Sequence, residues 1–193
     1  MLSGKNLKLE NNFMNNRTNN LIDSVNSIFN EFRESNPQYK EDMSNLQVEN
    51  VNELNVEGNK TTVLININDS GIKNLQNVHQ DLVLLLEKSL GKPVLLIPLR
   101  KTVDGKKFRK FIGKKVPRTK TLSFVQDNIL EDLLYPATII GKRTRYPRGQ
   151  RKQLKVFVDS VDKDYVNYKN REICLGYRSL TGCELSIDFP SAC

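Results

Sequence analysis

The apolar residues of this chain change their spacing several times, and those changes limit what it can fold into. Leu21, Ile22, Val25, Ile28, Phe29 and Phe32 recur at the 3.6-residue period of a helix, which Pro37 closes. Val51, Leu54 and Val56 then precede Glu57-Gly58-Asn59-Lys60, and Thr61 to Ile67 is β-branched and apolar, alternating at its end. That is the pattern of two strands joined by a tight turn. Ile72, Leu75, His79, Leu82 and Leu86 return to helical spacing, with Asp69 or Ser70 placed to cap the start and Gly91 to stop the end. Pro93 to Leu99 is a short continuous apolar run, as expected of a strand buried on both faces.

Further signals of both kinds follow. Leu122, Val125, Ile129 and Leu133 form the apolar face of a helix that Tyr135-Pro136 ends, and Ser123 with Gln126 fits a capping box. Thr138 to Tyr146 and Arg151 to Asp159 flank Pro147-Arg148-Gly149-Gln150, a second hairpin. Period-two alternation puts Arg143 and Arg145 on one face, and turns Leu154, Val156 and Val158 to the core. Residues 162–181 are expected to form one last helix capped at Thr181-Gly182, followed by a strand at Leu185, Ile187 and Phe189.

The expected order is therefore α-ββ-α-β-(basic loop)-α-ββ-α-β. Strand pairs alternating with helices imply an α+β fold, with a mixed sheet of about six strands and helices packed on it. No repeat of 20–50 residues is visible. Residues 1–20 are Asn-rich and aperiodic, a flexible lead, and 21–190 form a single domain.

Charge is distributed unevenly. Residues 1–91 carry 8 basic and 12 acidic side chains, and residues 156–193 carry 4 and 6, whereas residues 92–155 carry 18 and 4. Within 100–120, ten Lys and Arg face a single acid, Asp104. Like charges at that density repel unless a polyanion neutralises them. An anionic membrane is the weaker reading, because the run has no amphipathic apolar face. The pattern therefore points to nucleic acid.

The candidate contacts in this segment are Arg100, Lys101, Lys106, Lys107, Arg109, Lys110, Lys114, Lys115, Arg118 and Lys120. The second hairpin adds Lys142, Arg143, Arg145, Arg148, Arg151 and Lys152. The same hairpin charges would also keep a sheet edge from aggregating. The segment 100–120 is expected to be disordered when free and ordered on RNA. Phe108 and Phe111 inside it can stack on bases or fold back on the protein.

Several other classes are disfavoured. The longest wholly apolar run, Leu82 to Leu86, is far shorter than a membrane span, and residues 1–30 hold no signal-peptide core. Three cysteines without a C-x-x-C, and one histidine, suggest a reduced protein without structural zinc. No phosphate-binding glycine loop, dinucleotide fingerprint or nucleophile elbow is present. His79 lies on an apolar stripe, where a partly buried neutral imidazole is expected rather than a general base. Asp127, Glu131 and Asp132 sit on one expected helix. They would suit acid–base work or Mg²⁺, but more commonly such a face is solvated or pairs with Lys and Arg. We therefore expect no catalytic residue, metal, cofactor or small-molecule substrate.

Pro117-Arg118-Thr119-Lys120-Thr121-Leu122, Ile129-Leu130-Glu131-Asp132-Leu133, Pro136 and Ile140-Gly141-Lys142-Arg143 follow one another at telling intervals. Leu154-Lys155-Val156, Tyr177, Leu180-Thr181-Gly182 and Phe189-Pro190 complete the series, and Val94 to Ile97 with Arg100-Lys101 fits ahead of it. In this order and spacing the chain resembles the eukaryotic small-subunit ribosomal protein family S-seven of the "e" type, distinct from the universal bacterial S-seven. The resemblance is clear over 92–190, fair over 50–91 and poor before 45. It implies a structural protein of the 40S subunit, in the cytoplasm after a nucleolar assembly stage, with no catalytic residues. Its implied partners are small-subunit rRNA, neighbouring small-subunit proteins and, during biogenesis and pre-rRNA processing, assembly factors. No membrane is implied. The alternative is a free-standing RNA-binding regulatory module outside the ribosome.

Overall fold

The computed structural model describes residues 21–44, 46–56, 60–68, 72–103 and 117–190. Helix α1 spans residues 21–35, and the Asn36 amide donates to the Phe32 carbonyl at 3.0 Å as the chain leaves it. A 3₁₀ turn, Pro37–Tyr39, leads into the short helix α2, Lys40–Ser44. Strands β1 (Val48–Val56) and β2 (Lys60–Ile67) form the expected hairpin. Helix α3 (Ile72–Leu90) then crosses to β3 (Val94–Pro98), which pairs parallel to β2.

The second half contains α4 (Leu122–Leu134), β4 (Ile139–Arg145), β5 (Gln153–Val158), α5 (Lys163–Tyr168), α6 (Asn170–Thr181) and β6 (Glu184–Asp188). Strands β4 and β5 are antiparallel, and β6 runs parallel to β5. Helix α4 starts at Leu122 with Thr121 as its N-cap, so Ser123 lies inside the helix and the Ser123–Gln126 capping box does not form. The single helix expected over 162–181 is instead a 3₁₀ turn and two helices parted at Lys169.

The sheet also differs from expectation. Two three-stranded sheets, β1-β2-β3 and β4-β5-β6, replace one mixed sheet of about six strands. The reason is layering. Val63, Ile65, Ile67, Val94 and Leu96 turn one face of the first sheet to α1 and α3, in one core. Leu64, Leu95 and Ile97, on its opposite face, enter a second core with α4 and α6. Leu154, Val156, Val158 and Ile187 close that second core from the far side. Two helices thus lie between the sheets, and β3, between α3 and α4, is buried on both faces as its apolar run implied. Each fully buried Leu, Ile or Val contributes about 1.5–3 kcal/mol to this arrangement.

The two halves are one topology used twice, with every residue number raised by 91. The pair Val63↔Val94 becomes Leu154↔Leu185, and Val48↔Ile67 becomes Ile139↔Val158. The register shift between Val48 and Asn50 recurs between Ile139 and Gly141. Gly91 and Gly182 both end the crossover helix at positive φ, 63° and 72°, with amides 2.9 Å from the carbonyls of Glu87 and Arg178. A left-handed C-cap favours glycine because it has no Cβ. Between 48–99 and 139–190 only Gly58/Gly149, Leu84/Leu175 and Gly91/Gly182 are identical. The repeat is carried by buried positions such as Ile65/Val156 and Leu82/Ile173 instead.

Candidate nucleic-acid interface

Strand pairing decides which hairpin cations point where. Arg143 opposes Lys155, Arg145 opposes Gln153, and Gly141 opposes Phe157. Cross-strand partners share a face, and β5 turns Leu154, Val156 and Val158 to the core. Arg143, Arg145, Lys155 and Phe157 therefore share the outer face of the second sheet. The equivalent face of the first sheet carries Leu64 and Leu95 and is covered by α4 and α6. The outer face of the second sheet carries no helix among the described residues, and Arg143 and Arg145 on it are exposed. Lys155 lies 5.6 Å from the Phe157 ring centroid and forms an ion pair with Asp188.

Arg148 at the hairpin turn and Arg151 at the start of its return limb are also exposed. Among the described residues, Arg143, Arg145, Arg148 and Arg151 have no acidic partner. The other two hairpin candidates turn toward α4. Lys142 Nζ lies 3.0 Å from Asp127 Oδ1, and Lys152 Nζ donates to Gln126 Oε1 at 3.3 Å.

The basic segment has two described ends. The Val103 amide donates to the Lys120 carbonyl at 3.3 Å, so the ends meet. Arg118 and Lys120 are exposed in the 3₁₀ turn Arg118–Lys120, and Lys101 is exposed 3.9 Å from Glu49. Arg100 is different. Its Nε and Nη2 donate to both oxygens of Asp132 at 2.7 and 3.0 Å, and both side chains are largely buried. Lys106, Lys107, Arg109, Lys110, Lys114 and Lys115, with Phe108 and Phe111, lie outside the described residues. So do the Asn-rich lead at 1–20, the turn at 57–59 and the expected caps Asp69 and Ser70.

The three candidate carboxylates are not gathered into a catalytic set. Asp127 pairs with Lys142 and Asp132 with Arg100. No group of three or more His, Cys, Asp or Glu suited to a metal occurs among the described residues. His79 does border a cleft of about 340 Å³ with Tyr135, Arg100, Glu131 and Asp132. Burial first, and the Lys169 charge second, push its pKa down to about 4, so the ring is neutral, as its apolar stripe implied. Cys174 and Cys183 are free thiols, and burial pushes Cys174 up to about 11. No helix among the described residues is long and apolar enough to cross a membrane.

One further cation was not among the candidates read from the sequence. Arg178 lies on α6 in an acidic stretch of sequence, yet it borders the same surface groove as Arg151. The only signal for it was its place one turn after Leu175 on the same helix face.

Residues 10–189 match the family model for Ribosomal protein S7e. The chain belongs to the S7e family. It is 33% identical over 171 residues to small ribosomal subunit protein eS7 of Secale cereale, covering 88% of each chain. It is 32% identical over 168 residues to eS7A of Saccharomyces cerevisiae, covering 86% of this chain and 88% of that one. It is 35% identical over 150 residues to eS7 of Schizosaccharomyces pombe, covering 76% of each. The crystal structure of APE1850 aligns with 90% of the chain at 15% identity and a TM-score of 0.46. S7e proteins are structural ribosomal proteins and not enzymes. The S7e match extends into residues 10–45, where sequence resemblance alone was poor.

Proposed function

We propose that this S7e chain is a structural constituent of the small ribosomal subunit that holds small-subunit rRNA through its second hairpin and its basic segment. The observation that carries this reading is the set of four exposed arginines, Arg143, Arg145, Arg148 and Arg151, without acidic partners among the described residues, while their neighbours Lys142 and Lys155 are paired. Guanidinium forks donate two parallel bonds to phosphate and stack on exposed bases. The exposed Lys101, Arg118 and Lys120 extend the cationic surface toward 104–116, whose lysines and arginines are part of the same proposal. Arg100 is left out of the contact set because Asp132 engages its guanidinium through two bonds.

As an rRNA ligand the protein would enter the particle during nucleolar assembly, support pre-rRNA processing with assembly factors, and remain in cytoplasmic ribosomes beside neighbouring small-subunit proteins. The acidic first helix and its Asn-rich lead suit a protein neighbour better than RNA.

Charge reversal at Arg148 and Arg151 in cells tests this. Both side chains are exposed and have no ion-pair partner among the described residues, so the fold should survive. The expected result is reduced incorporation of the tagged variant into small subunits, with normal soluble protein. Incorporation equal to wild type would instead leave these arginines as guards of a sheet edge.

A further inference from the structure

Helix α6 presents Leu175, Arg178 and Ser179 on one face, as residues three and four apart do. They line a groove of about 270 Å³ together with Leu54 and Asn55 near the end of β1 and Arg151 at the start of the second hairpin's return limb. The groove is where the two topological units meet, and helix α6 packs there on β1. Two leucines form apolar lining, while two guanidiniums, a hydroxyl and an amide supply donors. No carboxylate lines it. Neither arginine has an ion-pair partner among the described residues.

The internal repeat shows what Arg178 is not needed for. Its counterpart 91 residues earlier is Glu87, which holds the Val94 amide and the Lys169 ammonium and so serves the fold. The Arg178 side chain makes no such contact among the described residues. A cation in the last turn does complement a helix dipole, but the dipole does not require a second guanidinium on the same groove. Repulsion between the two would be relieved by an anion held between them.

We propose that this groove holds a phosphodiester of RNA, with Arg151 and Arg178 as its clamps. The inference rests on the RNA-binding reading above and extends the hairpin's contact surface across the seam between the two units.

The test uses the full chain and a transcript of the organism's own small-subunit rRNA, with dissociation constants measured from 50 to 200 mM KCl. Arg178→Gln is compared with wild type and with Arg171→Gln, an exposed cation at the other end of α6. A phosphate contact adds about 0.7–0.9 to the slope of log affinity against log salt. Arg178→Gln is expected to remove about that much slope and weaken binding about tenfold at low salt. Arg171→Gln is expected to leave both unchanged, and Arg178→Lys to retain the slope. Melting by circular dichroism should be unchanged in all three.

Wild-type affinity and slope in Arg178→Gln would overturn the groove while leaving the hairpin reading intact. An equal loss in Arg171→Gln would also overturn it, as diffuse charge would suffice. If the wild-type chain does not bind the transcript, the RNA reading fails and the groove falls with it.

Discussion

Lys169 Nζ lies 2.6 Å from Glu87 Oε1, and the same oxygen accepts the Val94 amide at 3.1 Å. This joins the start of α6 to the end of α3, and so one topological unit to the other. Lys169 is a buried cation, at 5% exposure. Removing one partner of such a pair costs about 3–5 kcal/mol, because the other charge is left without compensation. Glu87→Gln and Lys169→Met should each destabilise the protein by that order in urea unfolding. The double variant Glu87→Gln/Lys169→Met should be more stable than the two costs added, since it leaves no unpaired buried charge.

His79 supplies a pH dependence. Its pKa is lowered from 6.5 to about 4 in the folded chain. The unfolded chain therefore takes up a proton near pH 6.5, whereas the folded chain resists until about pH 4. Stability is full above pH 6.5 and falls as pH drops through that window, by about 3 kcal/mol in total. His79→Gln should flatten this part of the stability curve between pH 7 and pH 4. An unchanged curve would show that the imidazole is not held neutral.

Gly176 of α6 lies close against Leu95 of the first sheet. A Cβ there would meet Leu95 Cδ1 at 2.8 Å and Leu133 Cδ2 at 3.6 Å. In Gly176→Ala, relief of glycine's helix penalty, about 1 kcal/mol, offsets the small shift of a leucine terminus. Gly176→Val adds bulk that cannot be relieved so simply and should cost about 1–3 kcal/mol. Thermal melts should separate the two substitutions clearly.

Arg100 and Arg145 are both arginines of the basic region, with opposite roles. Arg100→Gln breaks a buried bidentate pair and should cost about 1.5–3 kcal/mol of stability. Arg145→Gln should leave the melting temperature within a degree or two of wild type and weaken rRNA binding instead. A stable Arg100→Gln chain would mean that the Asp132 pair does not hold the fold.

What could be read from the sequence was local. Alternation at Leu154, Val156 and Val158 located β5 and its buried face, and the run from Val94 located a strand covered on both sides. The division into two sheets was not local. Val94 pairs with Val63 and Leu185 with Leu154, and no alternation within a strand says which partner it meets across an intervening helix. The break at Lys169 was hidden because apolar spacing continues through it, and its partner Glu87 lies in the preceding unit. Charge counting singled out cations by their neighbours in sequence alone. It could not see that Arg100 and Lys142 meet carboxylates on another element, or that Arg178 borders the same groove as Arg151. The 91-residue repeat left three identities in the sequence and was visible only through its registers.

The central claim is residence in the small subunit by way of RNA. Cell lysate sedimented through sucrose at moderate and at high salt, and blotted for this chain, tests it most directly. Co-sedimentation with the small subunit under both conditions is the predicted result. Migration as free protein near the top of the gradient at moderate salt would contradict it, and would favour an RNA-binding regulatory module acting outside the ribosome.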